Sequence, residues 1–381
     1  MKRICYVTTI PGTLSSFVIP VAKQIREETG WEITVICDED EAFAQSLPAG
    51  IRYIPISMKR GISLGGIAAM LKMVRTFRRE KFDLVQYSTP NASLYASLAA
   101  WLAQVPVRLY CQWGLAYVGF QGIKRKIFKA IEKLVCTLST WIEPDSFGNL
   151  RFSHEEGLYP EDKGSVVWNG SASGVDLEKF DISRKDLWRA EIRGKLNIPD
   201  DAPVMGFVGR ITGDKGINEL FAAFRQVLET YPQAYLLLVG RTEKAESVDE
   251  ELYRWAEQEP RVIFCGYTNV VERYLAAMDV YLLPSYREGF GSVVIEAEAM
   301  GLPVIVSRIP GPTDAMLPDE TGLVVPVKQV GPLAEAMGEL IGNVERRAEM
   351  GRKGREFASL KFDQKVLVQK ILEDRKRLLE K

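Results

Sequence analysis

Two clusters of charged residues fall in glycine-rich turns, where charge and exposed backbone N–H groups could meet an anionic, hydroxyl-rich ligand. The first runs from Pro284 to Gly311 as PSYREGFGSVVIEAEAMGLPVIVSRIPG. An apolar strand pattern, Val280–Leu283, ends in Pro284 and Ser285, and a glycine-rich turn then opens a helix near Ser292. Backbone N–H groups at such a helix N-terminus suit a phosphate or a sugar hydroxyl. Glu288 lies in the turn, and Glu296 follows on the second turn of the helix. Glu298, about 200° further round, cannot share the face of Glu296. Taken alone, Glu288 could equally be a first-turn carboxylate favoured by the helix dipole, and Glu296 a solvated surface residue. The second cluster, GFVGRITGDKG from Gly206 to Gly216, leads from a strand into a helix. It places Arg210 and Lys215 across one turn, where two cations could clasp a diphosphate. It lacks the Gly-Lys-Ser/Thr of a Walker A loop and does not match G-x-G-x-x-G. Alone, such a pair could also be surface decoration.

The elements that must position these residues alternate along the chain. Strand patterns are expected at Ile4–Thr9, Glu32–Cys37, Arg52–Ile56, Asp83–Tyr87, Arg108–Gln112 and Ser165–Trp168, with helices at Phe17–Thr29, Leu64–Lys81 and Ala92–Ala103. The alternation restarts with strands Val204–Val208, Tyr235–Val239, Val262–Cys265, Val280–Leu283, Val304–Ser307 and Gly322–Val325. This implies an α/β chain with parallel sheets covered by helices. A charged pause between about Val175 and Pro203 reads as the interdomain connection, giving two Rossmann-like domains facing each other across a cleft. Ligands of open α/β sheets bind beyond the carboxyl ends of the strands, so the site is expected in that cleft.

Composition narrows the chemistry. The 381 residues suffice for two or three domains, and 49 Lys+Arg against 50 Asp+Glu exclude a globally basic nucleic-acid binder. Five scattered cysteines without C-x-x-C pairs form neither a disulfide framework nor a zinc ribbon, which points to a reducing compartment. The single histidine, His154, disfavours His-rich metal sites and Ser-His-Asp chemistry, and its charged neighbours suggest a surface helix. No secretory signal is visible at Met1-Lys2-Arg3. The uncharged stretch from Ser88 to Val107 carries too many polar residues and prolines for a membrane span, and reads as a buried helix.

The strings G-R-x-x-x-x-K-G, E-x7-E inside P-S-x-x-E-G-F-G, and G-x-P-V-I resemble the retaining glycosyltransferases of family 4, which have the GT-B fold. Asn169–Phe180 is similar to the family's hinge string with an inserted Ser-x-Ser-Gly, a version that looks like the subgroup building capsule, exopolysaccharide and lipid-linked oligosaccharide. The resemblance implies that Arg210 and Lys215 neutralise the leaving nucleotide diphosphate and that Glu288 holds donor-sugar hydroxyls. It places the backbones of Phe290 and Gly291 beside the sugar and the N–H groups of Ser292 and Val293 on phosphate. Glu296 would grip the ribose hydroxyls, and Gly12-Thr13 would approach the donor phosphate from the acceptor side. Two cations and a helix N-terminus can stabilise the departing charge without a metal, and the leaving phosphate itself can take the acceptor's proton, so no close carboxylate pair is needed.

Where many relatives carry His before Gly, this chain has Trp113 before Gly114. Trp113 could stack on a sugar or fill the cleft wall. Asp38-Glu39-Asp40 formally matches D-x-D, the metal motif of a different glycosyltransferase fold, but reads here as an acidic loop. Residues 1–180 hold 21 Lys+Arg and 18 Asp+Glu, and the excess concentrates in two segments. One carries Lys124, Arg125, Lys126, Lys129 and Lys133 beside Ile123, Ile127, Ile131 and Leu134. The other, Lys59–Lys81, adds Arg60, Lys72, Arg75, Arg78 and Arg79. A basic amphipathic helix can lie on an anionic membrane; the alternative is a solvated helix whose apolar stripe faces the core.

Together these readings predict a metal-independent, cofactor-free hexosyltransferase. It would move a hexose or N-acetylhexosamine from a nucleotide sugar, expected to be UDP-linked, to a polyprenyl-diphosphate-linked or other saccharide. The acceptor domain is expected at residues 1–180, with a terminal helix near 362–381 packing back on it, and the donor domain at 181–361. The expected location is cytoplasmic, peripheral at the inner membrane's cytoplasmic face, with no nucleic-acid partner. The rivals are a catalytically silent nucleotide-sugar binder and a UDP-sugar epimerase; the latter needs several catalytic carboxylates and histidines, and a single His argues against it.

Overall fold

The computed structural model describes residues 1–58, 64–243 and 248–380. Lys59 and Arg60 of the second basic segment lie outside the described residues. The chain divides into two compact units, residues 1–173 with 365–381, and residues 174–364. Each contains a six-stranded, wholly parallel sheet. The stretch from Val175 to Pro203 is not a bare connection: it holds the helix Lys185–Leu196, which packs within the second unit.

The first unit is built on β1 (Arg3–Val7), β2 (Glu32–Cys37), β3 (Ile51–Pro55), β4 (Leu84–Tyr87), β5 (Val107–Gln112) and β6 (Trp141–Pro144), in the order β3-β2-β1-β4-β5-β6. Order reverses between β1 and β4, the switch point where open α/β sheets leave a crevice. Ser165–Trp168 does not form the expected sixth strand. Gly164 bridges Ile142 at one position, and Trp168 then turns into the left-handed region (φ 51°), which ends the pairing. The edge place is taken by Trp141–Pro144, a strand whose Glu and Pro hide it in the sequence. The terminal helix Gln364–Glu380 adds Leu367, Val368, Ile371, Leu372 and Leu378 to the core on one face of this sheet. Its buried Arg375 reaches Glu143 of β6 with both guanidinium nitrogens and donates to Gln86 of β4 at 3.1 Å.

The second unit contains β7 (Val204–Val208), β8 (Tyr235–Val239), β9 (Val262–Gly266), β10 (Val280–Leu283), β11 (Val304–Ser307) and β12 (Gly322–Val325), ordered β12-β11-β10-β7-β8-β9. Five of the six expected strands have their expected bounds, and β9 runs one residue further. Helices cover both faces, which is why the strands read as continuous apolar runs rather than alternating ones. The order reverses between β7 and β10, so the turns after those two strands must carry any ligand site.

Candidate active site

Both charged clusters occupy that switch point. Arg210 follows β7, and Lys215 closes a 3-10 turn (Gly213–Lys215) that leads into the helix Ile217–Thr230. Glu288 lies between β10 and the helix Ser292–Ala299. Lys215 Nζ donates to Glu288 Oε1 at 2.6 Å, and the Ser285 hydroxyl donates to the same oxygen at 2.7 Å. Oε2 of Glu288 takes no hydrogen bond among the described residues, which leaves a fixed carboxylate oxygen uncommitted. Gly216 makes the approach possible. Its φ is +72°, and a Cβ there would stand 2.1 Å from the Pro284 carbonyl oxygen.

Asp214 stitches the same two turns together, a contribution that sequence reasoning missed. Its carbonyl accepts from the Tyr286 N–H (2.9 Å), and its carboxylate meets Thr212 Oγ1 (2.6 Å) and Arg287 (2.9 Å). Burial pushes this carboxyl up, but the Thr212 hydrogen bond and the Arg287, Lys215 and Arg210 cations outweigh it and hold it below the usual range. Its signal in the sequence was only its place in Gly-Asp-Lys-Gly. Arg210 is more exposed, with its guanidinium on Glu243 at 2.9 Å.

The helix Ser292–Ala299 begins at Gly291 (φ +84°) with no side-chain cap, so the N–H groups of Ser292 and Val293 open its first turn. Phe290 is buried against Phe362, which fixes the turn's backbone. Glu296 is half-buried; burial raises its pKa to about 7, with Lys179 opposing and Glu272 reinforcing the shift. Glu298 points elsewhere, fully buried against Gly354, and burial pushes it well above the carboxylate range.

The remaining candidates belong to the first unit. Gly12 and Thr13 lie in a helical turn (Pro11–Thr13), followed by a widened π-helical turn over Leu14–Val18. Beside them the hydroxyls of Thr9 and Thr89 meet at 2.8 Å across the ends of β1 and β4. Thr89 has φ 69° and ψ 142°, a region almost reserved for glycine and frequent at functional sites; its only sequence signal was its place before Pro90. Trp113 is half-buried, packing on Phe17 with ring centroids 5.7 Å apart, and Gly114 turns the chain at φ +104°.

His154 lies half-buried in the helix Phe147–Glu155, edge-on to Tyr159. Asp40 caps the helix Glu41–Ser46 by accepting the Phe43 N–H, a structural use of the acidic loop. In the helix Gly122–Leu138, Arg125 and Lys129 pair with Glu156, and Lys124 sits over the Phe120 ring. Lys126 and Lys133 point to solvent. Three of the four stripe residues face away from the core, Ile123, Ile127 and Leu134 being 73, 51 and 41% exposed, while Ile131 is half-buried.

The family description "Glycosyl transferases group 1" matches residues 189–357, and "Glycosyl transferase 4-like" matches residues 3–143. The capsular polysaccharide biosynthesis glycosyltransferase CapM of Staphylococcus aureus is 32% identical over 317 residues, 83% of this chain and 82% of the relative. The chain belongs to the family 4 glycosyltransferases. Another relative of this glycosyltransferase is the Escherichia coli UDP-Gal:α-D-GlcNAc-diphosphoundecaprenol α-1,3-galactosyltransferase, 28% identical over 74% of this chain and 72% of the relative. Among solved structures, Anabaena HepE in complex with UDP and glucose superposes with a TM-score of 0.79 at 21% identity, covering 99% of this chain and all of that one. That likeness establishes the GT-B fold.

Proposed function

We propose that this glycosyltransferase moves a hexose or N-acetylhexosamine from a UDP-sugar to a lipid-linked saccharide, with retention of configuration and without a metal or cofactor. The observation that carries the reading is the Lys215–Glu288–Ser285 cluster at the β7/β10 switch point. One oxygen of Glu288 is committed to Lys215 and Ser285. The other remains to accept hydroxyls of the donor sugar, whose orientation is then fixed before reaction.

Breaking the glycosyl–phosphate bond leaves negative charge on the diphosphate. Lys215, Arg210 and the N–H groups of Ser292 and Val293 supply preorganised positive potential for that charge. Glu296 is offered to the ribose hydroxyls, and the leaving phosphate oxygen takes the proton of the attacking hydroxyl. HepE binds UDP on the same fold, and the E. coli relative uses UDP-galactose and a lipid-linked acceptor, which supports both substrate classes. Among the described residues no helix is long and apolar enough to cross a membrane. The exposed Ile123, Ile127 and Leu134, with Lys126 and Lys133 alongside, offer a peripheral contact for an anionic bilayer.

The test is a panel of UDP-, GDP- and ADP-sugars, scored by thermal shift and nucleotide release with EDTA and with or without a short polyprenyl-diphosphate saccharide. Stabilisation by one UDP-sugar, with release only when acceptor is present, is expected. Stabilisation with no release for any acceptor would favour a silent binder; rescue by Mg or Mn after loss in EDTA would overturn metal independence.

A further inference from the structure

A small cavity lies within the first unit, walled by the helices Pro90–Leu102 and Gly122–Leu138, strand β5 and the turn after it. Its volume is about 40 Å³. A single water needs roughly 10–15 Å³, so the space admits a group of a few heavy atoms and not a whole sugar ring. The wall is apolar on one side, with Leu94, Phe128, Ile131 and Val135. Asn91, Ser93, Tyr110, Tyr117 and Glu132 bring polar groups to the rest of it.

Ser93 is 1% exposed, and its Oγ has no hydrogen-bond partner among the described residues. A buried hydroxyl without a partner is costly, and that invites a ligand atom to complete it. Glu132 lines the cavity as well. Tyr110 Oη and Gln112 Nε2 both donate to its Oε1, each at 2.8 Å. The amide of Gln112 is oriented by the Ser153 hydroxyl, which donates to Gln112 Oε1 at 2.8 Å. These bonds fix the Glu132 carboxylate and leave its Oε2 without a hydrogen bond among the described residues. Among these polar groups the Ser93 hydroxyl is a donor and Glu132 Oε2 an acceptor without a partner among the described residues, beside an apolar wall.

We propose that this cavity receives the acetamido group of an N-acetylated sugar on the acceptor. The amide N–H donates to Glu132 Oε2, the amide carbonyl accepts from Ser93 Oγ, and the methyl lies against the apolar wall. A hydroxyl in place of the acetamido group cannot fill the space or cover the apolar wall, so the cavity selects acceptors rather than merely tolerating them. The inference rests on the reading of the enzyme as a transferase to lipid-linked saccharides, and it specifies the acceptor that reading leaves open.

The experiment uses the full chain saturated with UDP and two synthetic short-chain prenyl diphosphates, one headed by N-acetylglucosamine and one by glucose. Calorimetry gives the affinity of each for the wild type and for Ser93→Ala and Glu132→Gln. The wild type is expected to prefer the N-acetylated head at least tenfold, and each variant to bring the two affinities within about threefold. UDP affinity reports that the variants are folded. Ser93→Ala removes only an unpartnered hydroxyl, so its Tm should equal or exceed that of the wild type. Equal affinity for both heads in the wild type, or a preference that survives in both variants, would overturn the cavity's role and leave the lipid-linked acceptor intact. Binding of neither head, with UDP still bound, would overturn the acceptor reading and the cavity's role with it.

Discussion

At the scale of single residues, the site depends on charges held by short, directed bonds. Lys215→Ala removes the cation nearest Glu288, and Glu288→Ala removes the carboxylate that both Lys215 and Ser285 serve. Each is expected to lower kcat/KM by about 10²–10³-fold, as for loss of one preorganised electrostatic contact. Folding stability should fall by about 1–3 kcal/mol, since the pair is largely buried and each truncation leaves its partner without that bond. Nucleotide-release kinetics beside urea denaturation will separate the two effects, and wild-type turnover in both variants would refute the assignment. Glu296 gives a second prediction, with a defined sign. Burial raises its folded pKa from 4.5 to about 7, so between those values the folded state binds more protons than the unfolded chain. Its contribution therefore favours folding at low pH and is lost as pH rises through that window, by on the order of 3 kcal/mol. A ribose-gripping carboxylate must be ionised to accept two hydroxyls, so UDP affinity should rise from pH 6 to pH 8. Glu296→Gln should flatten both profiles, and an unchanged pH dependence of UDP affinity in that variant would remove Glu296 from the ribose.

At the scale of elements, what positions those residues is the close approach of two turns, and Gly216 sets it. Gly216→Ala puts a Cβ 2.1 Å from the Pro284 carbonyl oxygen at a φ of +72°, so the β7 and β10 turns must separate and Lys215 must leave Glu288. The expected cost is about 2–4 kcal/mol from backbone strain and overpacking, with UDP affinity falling in parallel. Denaturation midpoints and UDP titration check this, and a stable variant with unaltered UDP binding would show that the turns approach for another reason. Much of this framework was legible, because buried parallel strands read as apolar runs and the glycine-rich turns after β7 and β10 are local signals. Other features were not. The strand Trp141–Pro144 owes its place to a long-range partner, since Glu143 is buried only because Arg375 arrives from the terminal helix. Ser165–Trp168 has strand-like residues but turns away at Trp168, a backbone choice invisible in side-chain pattern. The contact between Thr9 and Thr89, like the polar cavity at Ser93 and Glu132, joins residues that only the sheet order brings together.

At the scale of the whole molecule, the unequal charge of the chain has a physical consequence. Balanced overall, it concentrates cations in the first unit, where the helix Gly122–Leu138 presents Ile123, Ile127 and Leu134 to solvent at helical spacing. A solvated helix has no use for an apolar outer stripe, whereas a helix lying in a bilayer interface needs one beside its lysines. The two contributions respond differently to salt. Each lysine near an anionic surface adds about 1 kcal/mol, screened within a Debye length, while the buried isoleucines add a salt-independent part. Ile123→Gln with Ile127→Gln should therefore weaken flotation with phosphatidylglycerol-containing liposomes equally at low and high salt. Lys126→Gln with Lys133→Gln should weaken it at low salt by about tenfold or more and make little difference at high salt. Both pairs are exposed, so Tm should stay close to that of the wild type. If the wild-type protein fails to float with anionic vesicles at low salt, the stripe is not a membrane contact. Equal flotation of all three proteins would place the contact elsewhere on the first unit, with the exposed Ile67 and Leu71 beside Lys72 and Arg75 as the next surface to substitute.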